Sequence, residues 1–205
     1  MHAAILFSGM SIATDSLLLY RPVRRVKIDG RQYRVNTDFR VFVRFELLMQ
    51  DDSLTDVQRL EAVLRAFYPA GVPDNREAAA DKLLELYTRG RETDHAKSEP
   101  TSGDRMIYSY AHDGGRIYAS FRQCYGICLT AVKLDWREFR ALLDNLPDDC
   151  EFMKAVTYRA MKIDGKLPPE ERERLRRLKK FYALPDNRTA EEKERDFAAT
   201  IAALF

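Results

Sequence analysis

Histidine and cysteine, the side chains that most often hold metal ions or act as nucleophiles, are scarce in this sequence. Its 205 residues include three of each, and the histidines lie too far apart for metal-ligand spacing. Cys124, Cys128 and Cys150 are odd in number and lack the paired spacing of structural zinc sites. We therefore expect no metal site, and three free thiols in a reducing compartment.

Motifs for common chemistry are missing as well. The sequence has no phosphate-binding loop, no nucleophile elbow and no dinucleotide fingerprint. We therefore expect no catalytic residue and no cofactor, and a protein that is not an enzyme. Acidic and basic residues nearly balance, with a formal net charge of +2. Any preference for a charged partner must then come from a local patch rather than from the field of the whole molecule.

Long apolar runs are absent too. None approaches the roughly 18 residues that a membrane-spanning helix needs. The apolar start of the chain has no preceding Lys or Arg, and Ser8 and Gly9 interrupt it, so it does not match an export signal. We expect a cytoplasmic protein that does not contact membrane. Translation from Met1 or from Met10 fits the sequence equally.

A short β-hairpin is predicted near the N-terminus. Val26 and Ile28 alternate with charged residues, Asp29-Gly30 suits a two-residue turn, and Tyr33 and Val35 return the apolar face. The other residues of this segment are strongly basic: Arg21, Arg24, Arg25, Lys27, Arg31 and Arg34. A DNA-contacting patch is one interpretation. We favour a solvated edge that resists aggregation, because no aromatic side chain is interleaved on that face for base stacking.

Helical periodicity dominates the rest of the chain. Local start and stop signals delimit the predicted helices. In chain order, the helices run from Thr37 to Met49, from the capping box of Thr55 with Gln58 to Pro69, from Asn75 to Gly90, from Asp113 to Gly126, from Asp135 to Leu146, from Asp148 with Glu151 to Met161, from Pro169 to Tyr182, and from Thr189 with Glu192 onward. Their apolar stripes, which we expect to be buried, include Val57, Leu60, Leu84 and Phe181. The expected fold class is mainly α, a helical bundle of about seven to eight helices with a short N-terminal β-hairpin.

Composition divides the chain into five parts. Residues 1–22 form a lead, 23–90 a hairpin with three helices, 91–105 a polar linker, 106–186 a helical unit and 187–205 a C-terminal amphipathic helix. The linker has no large apolar side chain to bury. The second unit opens with an extended segment, Ile107–Tyr110, that we expect to pair with the hairpin. Trp136 and Phe139 are predicted core anchors that pack against the helix bearing Phe152 and Val156.

Several short segments together resemble the bacteriophage gene-product-fifteen family. They are Asn36-Thr37-Asp38-Phe39-Arg40, Tyr118-Ala119-Ser120-Phe121, Tyr125-Gly126-Ile127, Trp136 to Leu143, Tyr158-Arg159-Ala160-Met161 and Phe181 to Asp186. The resemblance runs from about Val26 to Asp186 in the family's order. Members of this family are tailed-phage proteins encoded next to the tape measure gene, and are taken to be tail assembly chaperones or minor tail proteins.

The resemblance implies partners among tail proteins, above all the tape measure protein, and leaves self-association open. The candidate partner-binding residues form two groups: Phe197, Ile201, Leu204 and Phe205 on the C-terminal helix, and Tyr118, Trp136 and Tyr158 in the second unit. Three functions are weighed: a chaperone that shields the tape measure protein, a minor tail or connector component that stays in the virion, and a DNA-contacting protein. We expect the first, and we do not expect nucleic acid as the partner.

Overall fold

A computed structural model describes residues 16–19, 21–91 and 107–185. Within them the chain forms a two-stranded antiparallel sheet, seven α-helices and one short 3-10 helix at Leu17–Leu19. The elements are β1 (Arg25–Ile28), β2 (Arg31–Arg34), α1 (Phe39–Met49), α2 (Asp56–Phe67), α3 (Arg76–Arg91), α4 (Tyr110–Tyr125), α5 (Trp136–Asp144), α6 (Glu151–Ala160) and α7 (Pro169–Tyr182). This confirms the mainly α fold with an N-terminal hairpin. The predicted helix at 187–205, the start of the lead with Met10, and linker residues 92–105 lie outside the described residues.

The hairpin has the predicted turn and register. Asp29 and Gly30 both have positive φ, 48° and 81°, the backbone that a two-residue turn of this kind needs. Val26 lies opposite Tyr33 on the inner face, and Ile28 is buried. The predicted pairing of Ile107–Tyr110 with this hairpin is wrong, because the described sheet contains β1 and β2 alone and residue 110 already begins α4.

Several helix boundaries agree with their sequence signals. Thr55 and Gln58 form a complete capping box at the start of α2. The Asn75 side chain accepts a hydrogen bond from the backbone N–H of Ala78 at 3.1 Å. Gly126 ends α4 with a φ of 68°, and Pro169 occupies the first turn of α7. These signals depend only on residues adjacent in the chain.

Four predicted boundaries are wrong. Asp38 caps α1 in place of Thr37, whose hydroxyl instead donates to a carbonyl of the segment before β1. Helix α3 continues past Gly90, since a helical glycine costs about 1 kcal/mol and does not by itself end a helix. Helix α6 begins after Cys150 rather than at Asp148. Helix α4 begins at residue 110, three residues before Asp113. The Asp113 side chain contacts another helix instead, as described below.

The apolar stripes are narrower than predicted. Val57 is 71% exposed and Leu60, Leu84 and Phe181 are also exposed. In α2 the first turn stands away from the core, and the second half packs inward through Val63, Leu64 and Phe67. One hydrophobic core cluster includes residues from both predicted units.

The N-terminal ends of α1 and α5 join through a reciprocal contact, which we call the α1–α5 clasp (residues 37–42 and 134–139). Asp38 and Asp135 form an antiparallel bridge, and each carboxylate accepts a hydrogen bond at 3.0 Å from the backbone N–H two residues further on. Two backbone hydrogen bonds cross the bridge, from Phe39 N–H to Leu134 C=O at 3.0 Å and from Trp136 N–H to Thr37 C=O at 2.9 Å. The first N–H of each helix therefore donates to a carbonyl in the segment just before the other helix.

The sequence of the clasp repeats, and so does its packing. Residues 38–42 read Asp-Phe-Arg-Val-Phe and residues 135–139 read Asp-Trp-Arg-Glu-Phe. The first ring of each copy stacks on the second ring of the other: Phe39 on Phe139 with centroids 4.5 Å apart, and Trp136 on Phe42 with centroids 5.2 Å apart. The two copies are thus related by a local pseudo-two-fold arrangement.

Trp136 is a core anchor, as predicted, with only 1% of its surface exposed. Its indole N–H donates to the Tyr87 carbonyl at 3.0 Å, so burial leaves no polar atom of the ring unpaired. The predicted neighbour was wrong: the rings around Trp136 come from α1, α3 and α5, whereas Phe152 of α6 packs against Tyr108.

Replacing Trp136 with alanine should lower the free energy of unfolding by about 3–5 kcal/mol, because it empties the centre of the clasp. Urea denaturation followed by circular dichroism measures this. Phe181→Ala, at a ring that is 73% exposed, is the matched control and should change stability by less than about 0.5 kcal/mol. Equal stability of the two variants would refute the central role of Trp136.

Candidate functional site

The structure separates the predicted partner-binding residues. Tyr118 is 37% exposed on α4, Tyr158 is half-buried on α6, and Trp136 lies inside the core. Trp136 therefore presents no surface to a partner. The four predicted residues of the C-terminal helix lie outside the described residues: Phe197, Ile201, Leu204 and Phe205.

Tyr158 holds two helices together. Its ring stacks on that of Tyr182, with centroids 5.4 Å apart and planes 9° apart, so it links α6 to the end of α7. The Arg116 guanidinium lies 5.6 Å from the Tyr182 ring centre and extends the contact to α4. The protein's own packing therefore occupies one face of the Tyr158 ring.

A buried ion pair joins α4 to α6, and no sequence pattern predicted it. Asp113 is fully buried, and both of its oxygens accept from the Arg159 guanidinium, at 2.6 and 2.8 Å. Burial raises the pKa of the Asp113 carboxyl, but the hydrogen bonds from Arg159 and from the Ser109 N–H outweigh it and hold that pKa below its usual value. Arg116 adds a third contact at 3.1 Å. Asp113 therefore serves the fold as a charged crosslink rather than as a simple helix cap.

Arg159 also donates to the Ile107 carbonyl, at 3.0 Å, and to the Tyr182 carbonyl. One side chain thus fixes the segment before α4, the first turn of α4 and the end of α7. The helix arrangement of the second unit depends on this arginine.

Arg159→Met should lower the free energy of unfolding by about 3–5 kcal/mol at neutral pH, because it leaves the Asp113 carboxylate buried without its main partner. The lowered pKa of Asp113 means that the pair stabilises above the usual carboxyl value of 3.8 and loses its effect as the pH falls through the folded-state pKa. The difference in the free energy of unfolding between wild type and variant should therefore become smaller in acid. Urea denaturation at neutral pH and below pH of about 4 measures this difference.

Arg116→Met is the matched control for that change. Arg116 contacts the same carboxylate from a more exposed position, so its loss should cost less than about 1 kcal/mol. An Arg159→Met variant no less stable than Arg116→Met would contradict the crosslinking role.

Most of the segments that carry the family resemblance supply contacts inside the fold. The first and fourth form the clasp, and Tyr158 and Arg159 form the α6 contacts just described. The Tyr125 hydroxyl donates to the Leu142 and Asn145 carbonyls, each at 2.9 Å, and so fixes the end of α5 against α4. These residues identify the fold, whereas Tyr118, Ala119 and Phe181 of the same segments lie on exposed surfaces.

One such surface surrounds Tyr118 on α4. Residues 111, 115, 118, 119 and 122 recur at helical spacing and are all exposed; we call them the α4 face. Ala111, Gly115 and Ala119 are small, and a Cβ atom built at Gly115 would meet no atom within 4 Å. The α4 face is therefore open and flat, with Tyr118 as its one large ring.

Beside this face, the Cys128 thiol lies 3.4 Å from the Tyr118 hydroxyl and 3.2 Å from the Thr130 hydroxyl. Hydrogen bonds from Thr130 and then Tyr118 favour the thiolate and lower the pKa of Cys128 to about 7. Arg40 steadies this turn by donating to the Val132 carbonyl at 2.9 Å, and also to the Leu129 carbonyl. Cys128 is thus a reactive thiol next to the α4 face.

Alkylation of Cys128 by iodoacetamide should therefore be half-maximal near pH of about 7. Tyr118→Phe removes one donor to the thiolate, so it should move the midpoint upward, as peptide mass spectrometry across a pH series would reveal. Cys124 is an internal reference, because burial raises the pKa of its thiol. An unchanged Cys128 midpoint in the variant would show that the Tyr118 contact does not form.

Across the described ranges, no group of three or more His, Cys, Asp or Glu side chains is placed to hold a metal ion. None of the helices in those ranges is long and apolar enough to cross a membrane.

The family model for Bacteriophage Gp15 protein matches residues 20–184. The chain belongs to the bacteriophage Gp15 family. The matched segment contains both strands and all seven described α-helices of this Gp15-family protein, which confirms the family predicted from the sequence. Among the curated proteins and the solved structures that were compared, none matches the chain.

Proposed function

We propose that this Gp15-family protein is a phage tail assembly chaperone that binds and shields the tape measure protein in the host cytoplasm. The observation that carries the proposal is the family membership, since members of this family are encoded next to the tape measure gene. In the structure, most residues that carry the family resemblance, such as Trp136 and Arg159, are engaged in internal contacts. The protein then acts through exposed surfaces and by binding rather than catalysis.

The physical need for such a chaperone is clear. A tape measure chain is long, helical and apolar along its seams, so free copies expose surface that promotes aggregation before tail-tube subunits enclose them. A small helical protein can cover such a seam by helix packing. The α4 face suits close approach of a helix because three of its residues are small. The C-terminal pattern of Phe197, Ile201 and Leu204 supplies a second apolar seam in the sequence.

Deleting residues 188–205 should abolish the ability of the protein to keep a co-expressed tape measure protein soluble, while the helical core still melts cooperatively. The reason is that the deletion removes the apolar seam without touching the matched family segment. The measurement is the soluble fraction of tape measure protein from the same phage, with and without the truncated chain.

Gly115→Arg is the companion variant for the α4 face. The added side chain enters open space and replaces a helical glycine, so the fold should be retained or slightly stabilised. If the truncated chain protects fully and Gly115→Arg does not, the contact lies on the α4 face. Full protection by both variants would refute both proposed contacts, and failure of the intact chain to protect would refute the chaperone function.

Mass spectrometry of purified virions separates the two tail functions. A chaperone leaves the finished particle, whereas a minor tail or connector protein remains at a fixed copy number. We expect the protein to be absent from virions, and its presence in stoichiometric amount would favour the structural function.

A further inference from the structure

The outward face of the hairpin is a cationic surface. The register places Arg25 directly opposite Arg34, and Lys27 opposite Gln32, and the alternation of the strands turns them away from Val26 on the inner face. All four side chains are exposed, and within the described residues the three cations form no ion pair. Like charges directly opposite one another destabilise a strand pair, so the fold gains nothing from this arrangement.

Acidic residues are scarce in the hairpin segment itself. Elsewhere in the described chain, basic side chains such as Arg59, Arg76 and Arg159 are paired with carboxylates. Between residues 21 and 35 there are six basic side chains and a single acid, Asp29. The Asp29 carboxylate already accepts a hydrogen bond from the Asn75 side chain at 3.0 Å. Among the described residues, therefore, no carboxylate neutralises the positive charge of the hairpin face.

A small cleft adjoins this face, between β1 and α3. Its volume is about 180 Å³, and it is lined by three apolar residues, Val23, Val26 and Leu86, and four charged ones, Lys27, Lys82, Glu85 and Arg89. The apolar residues are buried or half-buried. Glu85 is already paired, with Lys82 at 2.7 Å and Arg89 at 2.6 Å. The cleft thus combines an apolar interior with a rim whose net charge is positive.

We propose that the hairpin face and this cleft together bind an acidic protein segment. One apolar side chain of the segment enters the cleft, and its carboxylates pair with Arg25, Lys27 and Arg34. A cavity of about 150 Å³ is large enough for a benzene ring, so the cleft accommodates one leucine or phenylalanine side chain. The inference concerns the chemistry of the partner and does not depend on that partner being the tape measure protein.

Nucleic acid fits these features less well. A phosphate backbone would satisfy the cations but would leave the apolar cleft unfilled. The outward face also presents no ring on which a base could stack, because the Tyr33 ring points inward, edge-on to Tyr68 with centroids 6.3 Å apart. An acidic segment with an apolar anchor satisfies both parts of the surface.

The test uses the full-length chain and a fluorescein-labelled synthetic peptide of about 18 residues, built from leucine and glutamate as an amphipathic helix. Fluorescence anisotropy should show saturable binding that weakens as salt is raised. The double variant R25E/R34E should weaken binding by at least about tenfold, because it replaces attraction with repulsion at two contacts.

R174E/R177E on α7 is the matched control, with the same charge change at two exposed arginines, and should bind within about twofold of wild type. Circular dichroism checks that both variants remain folded, which their exposure favours. Equal loss in the two variants would mean attraction to net charge alone and would overturn the proposal. Absence of peptide binding by the wild-type chain would overturn it as well.

Two further probes address the cleft and the class of partner. A peptide of equal charge with every leucine replaced by glutamine should bind at least about tenfold more weakly, since it has no apolar anchor. Equal binding of this peptide would overturn the role of the cleft. A DNA duplex of about 20 base pairs that binds more tightly than the first peptide, with the same sensitivity to R25E/R34E, would instead assign the surface to nucleic acid.

Discussion

The reciprocal joining of α1 and α5 is the constraint on which the rest of the structure depends. These helices belong to different halves of the chain, yet the first amide of each is satisfied by a carbonyl that precedes the other. Helix starts normally leave such groups to solvent or to local caps. Because the bridge fixes both backbones, the ring pairs Phe39 with Phe139 and Trp136 with Phe42 follow from the repeated spacing of the two segments. The other helices then pack around an arrangement that is already determined.

The buried arginines form the second level of organisation. Arg159 fixes α6 and the end of α7 to α4 through Asp113, and Arg140 donates to the Tyr108 hydroxyl at 2.7 Å beneath the clasp. A buried ion pair adds little net stability over apolar packing, but losing one partner is costly. Such pairs therefore favour one arrangement of helices over others of similar hydrophobic content. Residues used in this way mark the family through the fold and leave function to the exterior.

How far the sequence predicted this structure depended on the range of each interaction. The Asp29-Gly30 turn, the Thr55 capping box and the Gly126 stop were predicted correctly, because each rests on neighbours in the chain. The sequence predicts Asp113 as a helix cap, because its partner, Arg159, lies on another helix and leaves no local signal. It predicts Trp136 both as a core anchor and as a contact residue, since an aromatic residue on an amphipathic helix suits either place. The outward hairpin face showed as a run of basic residues, but the cleft beside it required the position of α3.

The two described surfaces differ in chemistry, and the difference bears on how a binding protein of this kind would act. Cationic side chains such as Arg25 and Arg34 accelerate encounter with an acidic partner, and their effect weakens as salt is raised. The small residues of the α4 face carry little charge and permit close packing, which governs how slowly a complex dissociates. A chaperone must capture its client quickly and still release it to the growing tail. Exposed charge speeds capture, and a modest apolar contact still permits release. A deep hydrophobic groove would instead favour capture at the expense of release.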